Sequence, residues 1–177
     1  MPEVEGAPHS DTAAPAFLQG RARIRATRGA ARWLRFSLSR TAPEGADVLH
    51  AKKVTIDQKL ALLRLDTVSF PPGACAWRHV HPGPGLRHLL QGELTLQTDD
   101  HDTVVTAGDS WFEAANSPVR ATASATMPKT GFVRFLVLPV SLQGTPSIRI
   151  LDAADTSKPT LQVTHRNLDQ VVRLPSG

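Results

Sequence analysis

The sequence has no tyrosine and only one cysteine, Cys75. A lone thiol closes no intramolecular disulfide and leaves no cysteine-based zinc site. No apolar run is long enough to span a bilayer, and none reads as the core of a secretory signal. A cytoplasmic protein is the expectation from these absences. A Gly-x-Ser-x-Gly elbow, a P-loop and a dinucleotide fingerprint are also missing, so those hydrolase and nucleotide chemistries have no anchor. The acidic run Asp99-Asp100-His101-Asp102 lacks the ligand spacing of an EF-hand and reads as a hairpin turn.

Acid is absent from one whole stretch. Residues 21–40 hold seven arginines and no acid, whereas residues 1–20 hold three acids and no lysine or arginine. From Thr41 onward, 13 basic side chains balance 13 acidic ones. The net charge of +4 therefore belongs to one segment, and the body carries no basic footprint for nucleic acid. Arg21, Arg25, Arg28, Arg32 and Arg35 recur at helical spacing, with Ile24, Ala31, Leu34 and Leu38 towards another face. Residues 1–45 are accordingly expected to be a flexible Arg-rich leader, disordered or partly helical. Contact with a membrane surface through residues 21–40, or organelle targeting by the Arg-rich N-terminus, is one reading of the stripe, and a solvated leader is the plainer one.

A turn-rich boundary, Thr41-Ala-Pro-Glu-Gly-Ala46, precedes the main body. Strand-like segments follow at 60–70, 75–81, 86–98, 103–106, 110–115, 119–125 and 131–140, with turn signals between them. Spacing near ten residues predicts an all-β sandwich or barrel. The remainder is less regular. Residues 148–151 and 161–164 suit edge strands, and 152–155 a turn or short helix.

Chemistry concentrates in Gly73-Ala-Cys-Ala-Trp-Arg-His79-Val-His81-Pro-Gly-Pro-Gly85-Leu-Arg-His88-Leu-Leu-Gln-Gly92-Glu. Residues two apart on a strand share a face, so His79 and His81 point into one space. Cys75 and Trp77 have the same parity. Two converging imidazoles are how many transition-metal sites begin. The plain alternative is a pair of structural histidines. Cys75 itself reads as a buried inert thiol.

This stretch resembles the first motif of the cupin superfamily: Gly, five residues, His-x-His, three or four residues, Glu, six residues, Gly. Gly73, His79, His81 and Gly92 fall in register, and Gly85 occupies the Glu slot. Gly108-Asp109 resembles the opening of the second motif. There Ala114 replaces Pro, Asn116 replaces Gly, Val119 replaces the ligand His, and Ala123 replaces Asn. The resemblance implies a jelly-roll β-barrel over residues 47–150, a segment 151–177 packed on it, and a homodimer. It implies a small-molecule ligand in the barrel and a divalent transition metal (Fe, Mn, Ni or Zn) on the histidines. Half of the family's ligand set is missing here, so a third ligand has to come from elsewhere. Glu113, or His88, is the candidate. His79, His81 and Glu113 together would suit a metal-dependent oxygenase or isomerase. The other reading is an uncharacterised binding cupin without catalysis. Arg87, Trp77 and Trp111 are the candidate substrate contacts, Arg87 because a guanidinium grips carboxylates.

Overall fold

The computed structural model describes residues 15–25, 31–39 and 48–174, with side chains described for 34–39 and 48–174. Thirteen strands run through the described residues. They are β1 (Pro15–Arg25), β2 (Ala31–Ser39), β3 (Val48–Thr55), β4 (Leu60–Phe70), β5 (Cys75–Val80), β6 (Gly85–Gln91) and β7 (Glu93–Gln97). Next come β8 (Asp102–Thr106), β9 (Ser110–Glu113), β10 (Val119–Ala123), β11 (Thr130–Leu138), β12 (Arg149–Ile150) and β13 (Val163–Arg173). Only two 3-10 turns, Val140–Leu142 and Ala153–Asp155, interrupt the β structure of the described residues. No helix among them is long and apolar enough to cross a membrane.

Two antiparallel five-stranded sheets make a jelly-roll sandwich. Their orders are β13-β4-β11-β6-β9 and β12-β5-β10-β7-β8. Alternation along each strand decides which side chains enter. On β4, β6 and β11, the residues Val68, Phe70, Leu89 and Phe132 face Ala76, Leu94, Leu96, Val119 and Ala121 of the opposite sheet. Each such burial of a large apolar side chain stabilises the fold by about 1.5–3 kcal/mol. A second apolar plug, Leu62, Leu136 and Leu138, sits farther along the same inner face.

The third sheet, β2-β1-β3, corrects the expected leader. Residues 15–25 and 31–39 are paired antiparallel strands rather than a basic helix, with Arg21 opposite Arg35. The competing period was two. Leu34, Phe36 and Leu38 alternate with Arg35, Ser37 and Ser39, which suits one covered and one open sheet face. Phe36 and Leu38 pack against Phe135, Val137 and Leu86 on the outer face of the first five-stranded sheet. The remaining leader residues, 1–14, 26–30 and 40–47, lie outside the described residues. The expected edge strand at 161–164 is found at a sheet edge, with other bounds. β13 starts at Val163 and runs to Arg173, paired along the whole of β4.

Gly92 separates β6 from β7 with φ +80. A β-carbon there would collide with Thr130 Oγ1 and approach Lys129 O at 2.6 Å. Gly92→Ala combines left-handed strain with overpacking against backbone. It is expected to lower stability by about 2 kcal/mol or more. A thermal melt followed by circular dichroism checks this, and an unchanged midpoint would contradict it.

Candidate functional site

The inner face of the first five-stranded sheet carries charge where a barrel core is usually apolar. Two neighbouring rows cross it, as the strand registers show. One row reads Trp111 on β9, Arg87 on β6, Arg134 on β11, Asp66 on β4 and Arg166 on β13. The next reads Glu113, Gly85, Leu136, Arg64 and Asp169. The largest fully buried side chains of the described residues are Arg64 and Arg87, not aromatic ones. Apolar residues close this belt on both sides.

Buried charge survives only where it is paired. Asp66, fully buried, accepts a hydrogen bond on Oδ2 from Arg134 Nε at 3.0 Å, and the same oxygen lies 2.9 Å from Arg134 Nη2. Arg64 donates from Nε and Nη2 to the two carboxylate oxygens of Asp169, at 2.8 and 3.2 Å. It also donates to the carbonyls of Leu142 and Thr145, which straps the segment after β11 onto the barrel. Arg87 meets Glu113, Nη2 to Oε2, at 2.6 Å. That contact lacks the alignment of a directed hydrogen bond, so Arg87 Nη2 is paired in charge only. Arg87 Nη1 donates to Gly85 O at 2.8 Å.

His79 on β5 of the opposite sheet and His81, just past the end of that strand, meet edge-on with ring centroids 5.1 Å apart. Both are buried. Nδ1 of His79 lies 2.6 Å from the Trp77 carbonyl, which can only accept. Nδ1 therefore carries the proton and Nε2 the lone pair. His81 places Nδ1 3.1 Å from the carbonyl and hydroxyl oxygens of Ser147. Its Nε2 accepts from Arg134 Nη1 at 3.2 Å, because a guanidinium can only donate.

Burial lowers the pKa of both imidazoles. For His81 the guanidiniums of Arg134 and Arg87 and the ring of His79 add to burial and hold it well below 6.5. For His79 burial outweighs the upward pull of Glu113. Burial also brings Arg87 down to about 10, against the opposing pull of Glu113. Neutral histidines and charged arginines follow near pH 7. A histidine held low in the folded state takes up its proton first in the unfolded chain. The stability it contributes is complete above 6.5 and is lost as pH falls below that value. Acidification from pH 7.5 to 5.5 is expected to lower the urea midpoint, and His81→Gln to flatten that slope. Parallel slopes in the two proteins would contradict the assignment.

The structure brings some of the expected site residues together and separates others. His79, His81, Arg87, Glu113 and Trp111 face the interior. Trp111 Nε1 donates to Glu113 Oε1 at 3.0 Å, and its ring meets Phe132 edge-on at 5.4 Å. Trp77 and Cys75 do not share the histidines' face. Val119 pairs with His79 but Ala121 pairs with Ala76, so β5 carries an extra residue there. This bulge inverts the parity before it. Trp77 instead lies between Arg120, at 4.9 Å, and Lys158, at 4.4 Å, and donates to Pro159 O. His88, next to Arg87 on β6, takes the opposite face and bonds Ser110 Oγ through Nδ1 at 2.8 Å.

Sequence reasoning passed over Arg64, Asp66, Arg134 and Ser147. A signal existed for three of them, since a charge inside an apolar strand such as Leu60–Phe70 or Thr130–Leu138 needs a partner. Ser147 lies in an irregular loop and carried no signal.

The belt does not fit the transition metal that the ligand pattern implies. Among the described residues no three of His, Cys, Asp and Glu come together in a group that could hold a metal ion. Glu113 faces Arg87, and the lone pair of His81 Nε2 faces Arg134. The missing glutamate slot is also filled. A β-carbon on Gly85 would stand 3.0 Å from Arg87 Nη1 and collide with Leu136.

A double-sheet barrel with inward histidines defines a class, and the comparisons name it. Residues 66–128 match the family model of the cupin domain. Over these residues the barrel is cupin-like. No curated protein matches it. Solved structures similar to it include an RmlC-like cupin from Shewanella frigidimarina, 20% identical, covering 46% of this chain and 78% of that one, TM-score 0.39. A cupin-like protein from Thermotoga maritima is 20% identical, with 54% and 68% covered and a TM-score of 0.44. The polyketide cyclase RemF from Streptomyces resistomycificus is 17% identical, with 50% and 61% covered and a TM-score of 0.41.

Proposed function

We propose that this cupin-like protein binds a small organic anion inside its barrel, at the belt formed by His79, His81, Arg87 and Arg134, and that it does so without a resident metal. One observation carries the reading: the guanidinium of Arg87 is fully buried, yet its Nη2 meets Glu113 in charge only, with no aligned hydrogen bond. Arg64 and Arg134 are held by Asp169 and Asp66 through aligned hydrogen bonds, so Arg87 is the least completely satisfied of these buried cations. A buried donor without an aligned acceptor is costly, and an anionic ligand removes that cost. The guanidiniums of Arg134 and Arg87 beside His81 oppose a divalent cation on the histidines. Binding, rather than the oxygenase or isomerase chemistry of a two-His-one-carboxylate centre, is the function this arrangement supports.

Two measurements test it on protein purified without a His-tag. Elemental analysis after incubation with Fe(II), Mn(II), Ni(II) and Zn(II) is expected to find no stoichiometric metal. Thermal-shift titration with sodium acetate, succinate, benzoate and inorganic phosphate is expected to give a saturable rise with at least one carboxylate, lost in Arg87→Gln. About one metal per chain, abolished in the His79→Ala/His81→Ala double variant, would overturn the reading in favour of the metal enzyme.

A further inference from the structure

We infer that the open edge of β2 is a docking slot for another protein, and that its occupant is an extended acidic peptide segment with alternating apolar residues. The segment adds as a fourth strand to the sheet β2-β1-β3. The slot lies on the outside of the barrel and is separate from the belt.

β2 ends its sheet, with β1 on one side and no strand on the other among the described residues. An unpaired edge presents a row of backbone N–H and C=O groups and is a template for an added strand. Beside it runs a groove of about 490 Å³, lined by Leu34, Arg35 and Phe36 of β2 and by Leu65, Phe135 and Leu168 beneath. That volume falls in the range of ligand sites, roughly 300–1,000 Å³. Three consecutive residues of β2 line the groove, so it follows the edge of the strand rather than one of its faces. The floor is one cross-strand row, with Phe135 opposite Leu65 and Leu65 opposite Leu168. Phe36 covers one end of that row, its ring stacked on Phe135 with centroids 5.8 Å apart. Phe135 is 4% exposed, whereas Leu168 at the other end is 39% exposed. The apolar row therefore continues past the last strand that covers it. A strand added there finds its ladder partner in β2 and sets every second side chain on Leu65 and Leu168.

Charge selects the occupant. β1 contains three arginines, β2 two arginines and β3 two lysines, and none of the three strands contains an aspartate or glutamate. The body of the chain is balanced, so this sheet is where an acidic partner is attracted. Arg35 lines the groove, is exposed, and has no ion pair among the described residues. A second copy of this chain would set one arginine-rich strand against another, and like charges across a ladder are destabilising. A strand that alternates carboxylates with apolar residues matches both features of the slot. Its apolar side chains cover the floor, and its carboxylates meet Arg35 and the field of the basic sheet.

The test is fluorescence anisotropy of the full-length protein with a fluorescein-labelled peptide, Glu-Leu-Glu-Val-Glu-Leu-Glu. The peptide is expected to bind saturably, and its counterpart with lysine in place of glutamate about tenfold more weakly or not at all. Two further forms carry N-methyl groups on the glutamates only or on the apolar residues only. Backbone N–H groups of alternate residues leave a strand by opposite edges, so one of these forms should lose binding and the other keep it. Arg35→Glu alters an exposed side chain and is expected to reverse the preference, so that the lysine peptide binds more tightly. Leu168→Gln should weaken both peptides and leave the preference as it was. Acidic and basic peptides bound equally, both N-methylated forms bound as tightly as the parent, or no peptide bound at all would each overturn the inference. An oligothymidylate that binds more tightly than the acidic peptide, with no loss in Leu168→Gln, would overturn it in favour of nucleic acid on the basic strands. A wild-type dimer in sedimentation equilibrium that Leu168→Gln dissociates would overturn it in favour of a second copy.

Discussion

Asp66→Ala is expected to destabilise the barrel by about 3–5 kcal/mol, the range seen when one partner of a buried ion pair is removed. The side chain is fully buried and its carboxylate neutralises Arg134 from the adjoining strand. Without it Arg134 keeps its charge, because a guanidinium does not give up its proton near neutral pH even where burial lowers its pKa. Water cannot easily replace the lost carboxylate, since Arg134 is itself only 11% exposed and flanked by His81 and Arg87. Arg166, which lies 3.6 Å from the other oxygen of Asp66, loses a partner as well. Most of a small domain's total stability is of this size, so the variant should be partly unfolded at room temperature. Urea denaturation followed by circular dichroism measures it. The double variant Asp66→Ala/Arg134→Met separates charge from packing. Replacing both partners with apolar groups removes the unpaired charge, so the double variant should recover much of the lost midpoint. If the double variant is as unstable as Asp66→Ala, the damage lies in packing and the charge argument fails.

That ion pair also shows what was legible in the chain. Strand positions followed from alternation and turn residues, so β4 was read with its observed ends and β9 within two residues. The paired histidines were found because i, i+2 spacing on a strand is a strong geometric constraint. Trp77 was misplaced by one bulged residue, which leaves no mark in the sequence when neither glycine nor proline signals it. The first two strands were read as a disordered or partly helical leader because arginines at spacings of three and four also occur by chance in an arginine-rich stretch. The period-two alternation of Leu34, Phe36 and Leu38 was the weaker but correct signal. The belt was missed for a different reason. Asp66 and Arg134 are 68 residues apart in sequence, and only strand order brings them into one row. A buried charge announces that a partner is needed but not which residue it is. The carboxylate of Glu113 was seen, whereas its commitment to Arg87 depends on β6 and β9 being neighbours.

Restoring the missing glutamate tests whether this barrel is a damaged metal site or a differently built one. If loss of the ligand were a simple deletion, Gly85→Glu would return a carboxylate to His79 and His81, and Val119→His would complete the set. The geometry opposes this. The position of a β-carbon on Gly85 is taken by Leu136 Cδ2, lies 2.8 Å from Phe135 O and 3.0 Å from Arg87 Nη1. The carbonyl belongs to a paired strand and cannot retreat without breaking the β6–β11 ladder. Arg87 has nowhere else in the belt to put its charge, since Arg134 stands beside it and Glu113 is its only carboxylate partner in the charge belt. Gly85→Glu is therefore expected to cost about 3 kcal/mol or more, beyond the usual penalty for overpacking a core. The Gly85→Glu/Val119→His variant should bind no stoichiometric metal after incubation with Fe(II) or Mn(II). The new carboxylate would meet Arg87 before any metal, and the lone pair of His81 Nε2 would still face Arg134. A thermal melt and elemental analysis decide the matter. A stable variant that takes up one metal per chain would mean that the arginines move aside readily, and that the belt is a vacated metal centre after all. Instability without metal uptake would mean that Gly85 is the residue that admits Arg87, and that an internal cation holds the ground a metal holds in other barrels of this kind.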